Sequence, residues 1–221
     1  MARIFLTTYR PLCRTRQGRE AIERAGLKPF IDGSCRREPD FEAVLPTITA
    51  LCRGRMFAPR LVVGDRIAYV TKKGTYTKGT APHWRLVALL QVVHRFESHE
   101  AAAAWYIHRN FPVPRNCMVA GSAPAPLDLT DGKLPKLLAS RAHSLTPERL
   151  VHLWDAGYAS RAKANPQVLA CEASIINLTS PPVILEEDWI NWIGRIPATR
   201  TPPTITSKLW KYLEERGRSA A

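Results

Sequence analysis

Along the chain, stretches with a two-residue apolar period alternate with stretches of helical spacing, and each change of period marks an element. Residues 3–8 read as a strand, and residues 17–25 as a short helix closed by Gly26 at its C-cap. Between 41 and 52, the apolar positions Phe41, Val44, Leu45, Ile48 and Leu51 have helical spacing broken by Pro46. That pattern predicts one turn and then a short helix. The clearest β signal runs from Leu61 to Thr71, where Gly64-Asp65 turns the chain into an alternating strand that ends at Lys72-Lys73-Gly74. Residues 83–96 are too long and too β-branched for one flat edge, so they predict a bent central strand or two strands in sequence. Ser98 then caps a helix reaching Arg109, and Phe111-Pro112-Val113-Pro114 stops it.

Downstream the pattern loosens and then turns helical. Residues 115–135 are rich in Pro, Gly, Ala and Ser without a sustained period, as in a long ordered loop or an internal linker. Thr146 at N-cap and Pro147 at N1 open a helix carrying Leu150, Val151, Leu153, Trp154 and Tyr158. Two more helices are predicted over 186–193 and 207–216. The organisation this implies is α+β: a mixed β-barrel domain over 1–114, a loop or linker over 115–145, and a helical C-terminal region over 146–221 packed on the barrel. Trp189 and Trp192 lie three apart on one helical face, fit to dock on the barrel or to recruit an effector protein.

Charge adds a partner class to this outline. The 221 residues carry a formal net charge of +13. Lys and Arg outnumber Asp and Glu 15 to 7 over residues 1–73 and 8 to 4 over 74–142, but only 9 to 8 over 143–221. The excess is mostly arginine, whose planar fork suits phosphate, and a polyanion such as DNA or RNA is the expected partner. A basic enzyme from an arginine-rich genome is the other reading of the same charge. Five cysteines without a C-x-x-C pair argue against a disulfide framework or a zinc knuckle. The opening apolar run is too short for a signal peptide and no stretch is long enough to span a bilayer, so a cytoplasmic protein with no membrane partner is expected.

Candidate chemistry concentrates between Asp32 and Asp40, where a hydroxyl, a thiol, two guanidiniums and three carboxylates fall within nine positions. Arg36 and Arg37 could hold phosphate bidentately while Asp32 or Ser34 reads a base edge. Cys35, preceding two arginines, could carry a lowered thiol pKa as a nucleophile. Alternatively the loop is solvated, with Arg36 and Arg37 paired to Glu38 and Asp40. Lys72, Lys73 and Lys78-Gly79 with Tyr76 between them form either a phosphate clamp or an ordinary basic turn. His94 and His99 straddle a strand-helix junction, are expected at the surface, and are not read as metal ligands. Neither a P-loop nor a Rossmann, hydrolase-elbow or zincin motif is present, and no cofactor is expected.

The order Gly64-Asp65-Arg66-Ile67-Ala68-Tyr69, loop, Trp84 to Val93, then a helix near Ser98 resembles the core of PUA-like barrels, the superfamily of EVE, ASCH and YTH domains. Thr7-Thr8-Tyr9 together with Ser34-Cys35-Arg36-Arg37-Glu38-Pro39 is similar to bacterial nucleotide modification associated domain proteins. The resemblance covers roughly residues 1–110. It implies recognition of RNA or DNA through a modified or flipped base in a pocket with aromatic walls and basic flanks. On that reading Tyr69 and Trp84, with Tyr76 as a third, and Asp32, Ser34 and Cys35 form the base pocket. Arg36, Arg37, Lys72, Lys73 and Arg85 hold phosphate. Tyr69 and Trp84 could instead pack the barrel core. A reader without catalysis is the first expectation, and an enzyme acting on nucleotides or bases through the Asp32–Asp40 loop is the alternative.

Overall fold

The computed structural model describes residues 2–76, 80–196 and 204–219. Its centre is a curled half-barrel sheet in an α+β chain. Strands β1 (Ile4–Tyr9), β2 (Thr47–Thr49), β3 (Arg66–Thr71), β4 (Trp84–Phe96) and β5 (Val168–Ile176) lie in the order β1-β3-β4-β5-β2, and β6 (Val183–Ile184) pairs with the start of β4. The β1/β3 pair is parallel and the other pairings are antiparallel. Because β1 and β3 run the same way, their C-terminal ends, Tyr9 and Thr71, come out side by side. That shared end is where the site described below is built.

Most elements arise from local signals in the sequence. Helix α1 (Arg16–Ala25) starts at Thr15, whose hydroxyl accepts from the Gly18 N–H, and ends at Gly26 in the left-handed conformation. Gly64, with φ 92°, supplies the turn into β3, and the fully buried Asp65 accepts from the Arg3 and Val62 N–H groups to fix it. Strand β4 bends through register shifts against both β3 and β5, which lets one strand serve three partners. The Ser98 and Thr146 hydroxyls cap α2 (His99–His108) and α4 (Pro147–Ala164).

Two predicted elements are corrected. Residues 41–52 form no helix: the chain turns irregularly from Phe41 and then enters β2, whose Thr-Ile-Thr run of β-branched residues pairs with β5. The Pro46 carbonyl accepts from the Cys171 N–H, so the proline sits at the strand entrance, where its missing N–H costs nothing. Residues 146–221 are not all helical, because β5 inserts between β4 and β2. The run Val168-Leu169-Ala170-Cys171 is wholly buried, as suits a strand with neighbours on both sides. Residues 115–145 form an ordered loop containing the one-turn helix α3 (Lys136–Ala139), with Asn116, Thr130 and Asp131 buried.

The two faces of the sheet bury different cores. On one, Phe5, Tyr9, Phe41, Ile67, Tyr69 and Leu90 pack together. On the other, Ile4, Leu6, Val70 and Leu86 pack against Trp84, Trp189 of α5 (Glu186–Ile193) and Trp210 of α6 (Ser207–Arg218). The Trp84 and Trp189 rings meet edge to face at 6.1 Å, so the tryptophan helix face docks onto the sheet. No helix among the described residues is long and apolar enough to cross a membrane.

Candidate functional site

The polar loop from Asp32 to Asp40 is not solvated; all of its residues are buried apart from the half-buried Ser34. Such burial is affordable only if each polar group finds a partner, and most do. Arg36 grips Asp155 of α4 with two hydrogen bonds, Nε to Oδ1 at 2.5 Å and Nη2 to Oδ2 at 2.6 Å, while Nη1 donates to the Ser122 carbonyl at 2.7 Å. Arg37, whose backbone is left-handed at φ 51°, donates to the carbonyls of Asp32, Ser34 and Leu129. Glu38 accepts from the Thr49 N–H (2.9 Å), the Thr49 hydroxyl (2.5 Å) and the Asn116 amide (2.9 Å). Asp40 accepts from the Arg115 and Glu42 N–H groups. These bonds tie the loop to β2, to the 115–131 segment and to α4.

Asp32 is different. Its Oδ1 collects the Ser34 N–H (2.9 Å), the Ser34 hydroxyl (2.5 Å) and the Glu38 N–H (3.1 Å), whereas its Oδ2 accepts nothing among the described residues. One oxygen is thereby fixed and the other left available. The carboxyl lines a cavity of about 730 Å³ whose walls come from the ends of β1 and β3, the 32–39 loop, the 49–57 segment, the 131–138 segment and α4. A volume of that size falls in the range of small-molecule sites. Burial is the main cause that pushes Asp32 up to about 6, with the Ser34 hydrogen bonds opposing it. Glu38 also lines the cavity, and burial pushes it up to about 8 against its three hydrogen bonds.

Aromatic rings form one wall. Tyr69 stands at the centre, edge-on to Tyr9 (6.2 Å), Phe41 (5.2 Å) and Phe57 (6.4 Å). Tyr9 spends its hydroxyl on the Phe30 carbonyl, but the Tyr69 hydroxyl makes no hydrogen bond among the described residues. Trp154 and Tyr158 of α4 face the cavity from the other side. Cations mark its rim: Arg10 follows β1, Lys72 follows β3, and Arg53 donates to the Thr8 carbonyl. Arg10 Nη1 lies 3.3 Å from Asp131 Oδ2 in an ion pair without hydrogen-bond alignment. Thr8 contributes its backbone here; its side chain lies on the face of β1 that carries Ile4 and Leu6, where its hydroxyl is buried without a hydrogen-bond partner among the described residues. Lys72 is held below the ordinary lysine range by burial and then by Arg10, Arg53 and Arg14.

Of the residues proposed from sequence, the structure brings Asp32, Ser34, Tyr69 and Lys72 to this cavity. The others are placed elsewhere. Trp84 belongs to the opposite core with Trp189. Cys35 is fully buried against α4, and burial pushes its thiol up to about 12, the reverse of an activated nucleophile. Arg36 and Arg37 point inward and spend their donors on Asp155 and on carbonyls, not on Glu38 and Asp40. Lys73 pairs with Glu186 over the Trp84 ring, Arg85 donates to His83 and the Pro181 carbonyl, and Tyr76 donates to the Lys72 carbonyl. Lys78-Gly79 lies outside the described residues. His99 is buried, contrary to a surface position, with Nδ1 accepting from the Met118 N–H.

Thr8, Arg10, Arg53, Phe57 and Asp131 enter the site without having been assigned to it from sequence, whereas Glu38 belongs to the loop that the enzyme reading singled out. Thr8 and Arg10 flank Tyr9, and only the parallel pairing of β1 with β3 puts them beside Lys72. Among the described residues no group of three His, Cys, Asp or Glu side chains is arranged to hold a metal ion. No protein family, curated protein or solved structure matches the chain.

Proposed function

We propose that this protein binds nucleic acid one nucleotide at a time, seating a modified or extruded base in the 730 Å³ cavity with its phosphate on the basic rim. The observation that carries the reading is the coexistence, in one concave site, of an aromatic wall, an available buried carboxylate oxygen and a cluster of cations. Tyr69, Tyr9 and Phe57 offer stacking or edge contacts, worth roughly 1–3 kcal/mol per base in single-strand binding proteins. Asp32 Oδ2 accepts from an amino or imino edge, which distinguishes bases by their donors. The PUA-like identity of the half-barrel belongs to the same proposal: the Gly64-Asp65 turn, the long bent β4 and the Ser98-capped helix follow in the order of that superfamily.

The test is binding of modified and unmodified oligonucleotides across a salt series. Expected are a decline of affinity with salt and a preference among bases, both weakened by Tyr69→Ala and Asp32→Asn. Absence of binding at low salt overturns the proposal.

One observation favours a catalytic version of the same site. Asp32 and Glu38, both buried and both raised toward neutrality, face one cavity, and such a pair can divide acid and base roles. Product formation from nucleotides or oligonucleotides, lost in Glu38→Gln while binding persists, would establish it.

A further inference from the structure

We infer that the cavity has a second, apolar subsite along α4, kept open by Gly157, and that the ligand carries a bulky alkyl or aryl arm that lies in it. This rests on the base reading above and narrows it, since an unmodified base offers no such arm. The two sides of the cavity differ in chemistry. The 32–39 loop and β2 bring Asp32, Ser34, Glu38 and Thr49, whereas the 131–138 segment and α4 bring Leu134, Leu137, Leu138 and Leu153, and Met56 adds to the apolar lining. A base engages the first set. A cavity of about 730 Å³ is of the size that takes a drug-sized ligand, which leaves room beyond a single base. Leu137, at 74% exposure, is the most exposed large apolar side chain among the described residues, and Met56 is 44% exposed. Apolar surface left in water on a cavity wall is covered when an apolar group enters.

Gly157 supplies the independent observation. It stands inside α4, on the helix face that carries Trp154, Tyr158 and Arg161 into the cavity wall, and a helix interior disfavours glycine relative to alanine. The other glycines inside described helices have a packing reason. A Cβ on Gly18 would lie 1.7 Å from the Leu12 carbonyl oxygen, and one on Gly217 would lie 2.4 Å from Ile175 Cδ1. A Cβ on Gly157 would meet nothing within 4 Å, and the residue has no left-handed φ. Neither close packing nor a special backbone conformation demands glycine there. A ligand group passing close to the helix backbone does. Arg161, the cation that α4 contributes, donates to the Leu51 carbonyl and lies over the Tyr158 ring, so its charge is already engaged and the wall offers an arm apolar contact.

Calorimetry on the full chain tests the subsite with deoxyadenosine, deoxyguanosine, deoxycytidine and deoxyuridine, each bare and with a hexyl or benzyl arm. The arm sits on the exocyclic amine of the first three and at C5 of the last, and hexylamine and benzylamine serve as arms without a base. The expected result is that the arm tightens nucleoside binding by about tenfold or more for at least one base. In Gly157→Ala that gain shrinks, and in Gly157→Leu it falls toward one while affinity for the bare nucleoside changes by less than about twofold. Position 157 is exposed and both replacements favour helix, so the melting temperatures of the two variants should equal or exceed that of the native protein. Bare nucleosides that bind with no gain from the arm overturn the subsite and leave the base reading intact. A gain that survives Gly157→Leu also overturns the subsite. Amine binding that Gly157→Leu removes, with no nucleoside bound, overturns the base reading and keeps the subsite. Binding of none of the probes overturns both.

Discussion

Arg36 and Asp155 join the polar loop to α4 through a two-pronged pair, Nε to Oδ1 at 2.5 Å and Nη2 to Oδ2 at 2.6 Å, with the guanidinium almost completely buried. This contact holds two walls of the cavity together, because the loop supplies Asp32 and Glu38 while α4 supplies Trp154 and Tyr158. Arg36 therefore shapes the site without touching its interior.

Truncation of that arginine leaves the Asp155 carboxylate and the Ser122 carbonyl without their donor. Arg36→Ala is expected to lower stability by about 3–5 kcal/mol, the usual cost of breaking a buried pair from one side. Urea denaturation measures it. Replacing both partners by apolar residues is expected to cost less than either single change, since no charge is then left unpaired.

Tyr69 and Trp84 lie on adjacent strands but on opposite faces, and their substitutions should separate cleanly. Trp84→Ala removes a ring packed against Trp189 and should cost about 3–5 kcal/mol in stability. Tyr69→Phe removes a hydroxyl that makes no hydrogen bond among the described residues, so its stability should change by less than about 1 kcal/mol. Oligonucleotide affinity should fall in the second variant, and fluorescence anisotropy reads it.

This pair also shows where the sequence is informative. The strand pattern places both aromatic residues in the sheet, and the Gly64-Asp65 turn is readable because it combines a flexible residue with a carboxylate that caps its own turn. Which face each ring occupies depends on pairing with β5 and on the α5 and α6 helices, which are distant in sequence. Val168-Leu169-Ala170-Cys171 escapes notice because a strand buried on both faces loses the alternation that identifies one. In the same way, the arginines of the 32–40 loop look like surface donors until Asp155, 119 positions from Arg36, claims one of them. Asp32 and Lys72 are recognisable from local chemistry, whereas Thr8 and Arg10 acquire meaning only through the parallel β1/β3 register.

Stability should decline with pH as the buried carboxyls ionise. Asp32 stands at about 6 against an ordinary 3.8, and Glu38 at about 8 against 4.5. A carboxyl raised in the folded state binds more protons there than in the unfolded chain, so its favourable contribution is complete below about pH 4 and is lost as pH rises through 6 and 8. Denaturation midpoints at pH 5 and pH 8.5 should therefore differ, with the lower pH more stable as far as these two groups are concerned. Glu38→Gln should reduce that difference, whatever its effect on absolute stability, because it removes the group with the wider window.

Gly33 bears on the site through space rather than flexibility. A Cβ at this position would meet Asp131 Cβ at 2.6 Å and its carboxyl carbon at 2.8 Å, closer than real contacts allow. The Gly33 carbonyl also accepts from the Asp131 N–H at 2.8 Å, so the two backbones cannot easily separate. Gly33→Ala should displace the Asp131 side chain, release Arg10 from its ion pair and lower the melting temperature. Thermal unfolding reports the last effect.

The most discriminating substitution is Thr8→Val. Its hydroxyl is buried on the face of β1 that carries Ile4 and Leu6, with no hydrogen-bond partner among the described residues, an arrangement that costs the folded protein about 1–3 kcal/mol of unrecovered solvation. Valine has nearly the same shape and suits a strand end, so the variant should be more stable than the native protein by part of that amount. Because the hydroxyl faces away from Tyr69 and the cavity, nucleotide affinity should stay unchanged. A rise in melting temperature without a change in affinity is the expected result, and a loss of affinity would show that the hydroxyl reaches the ligand.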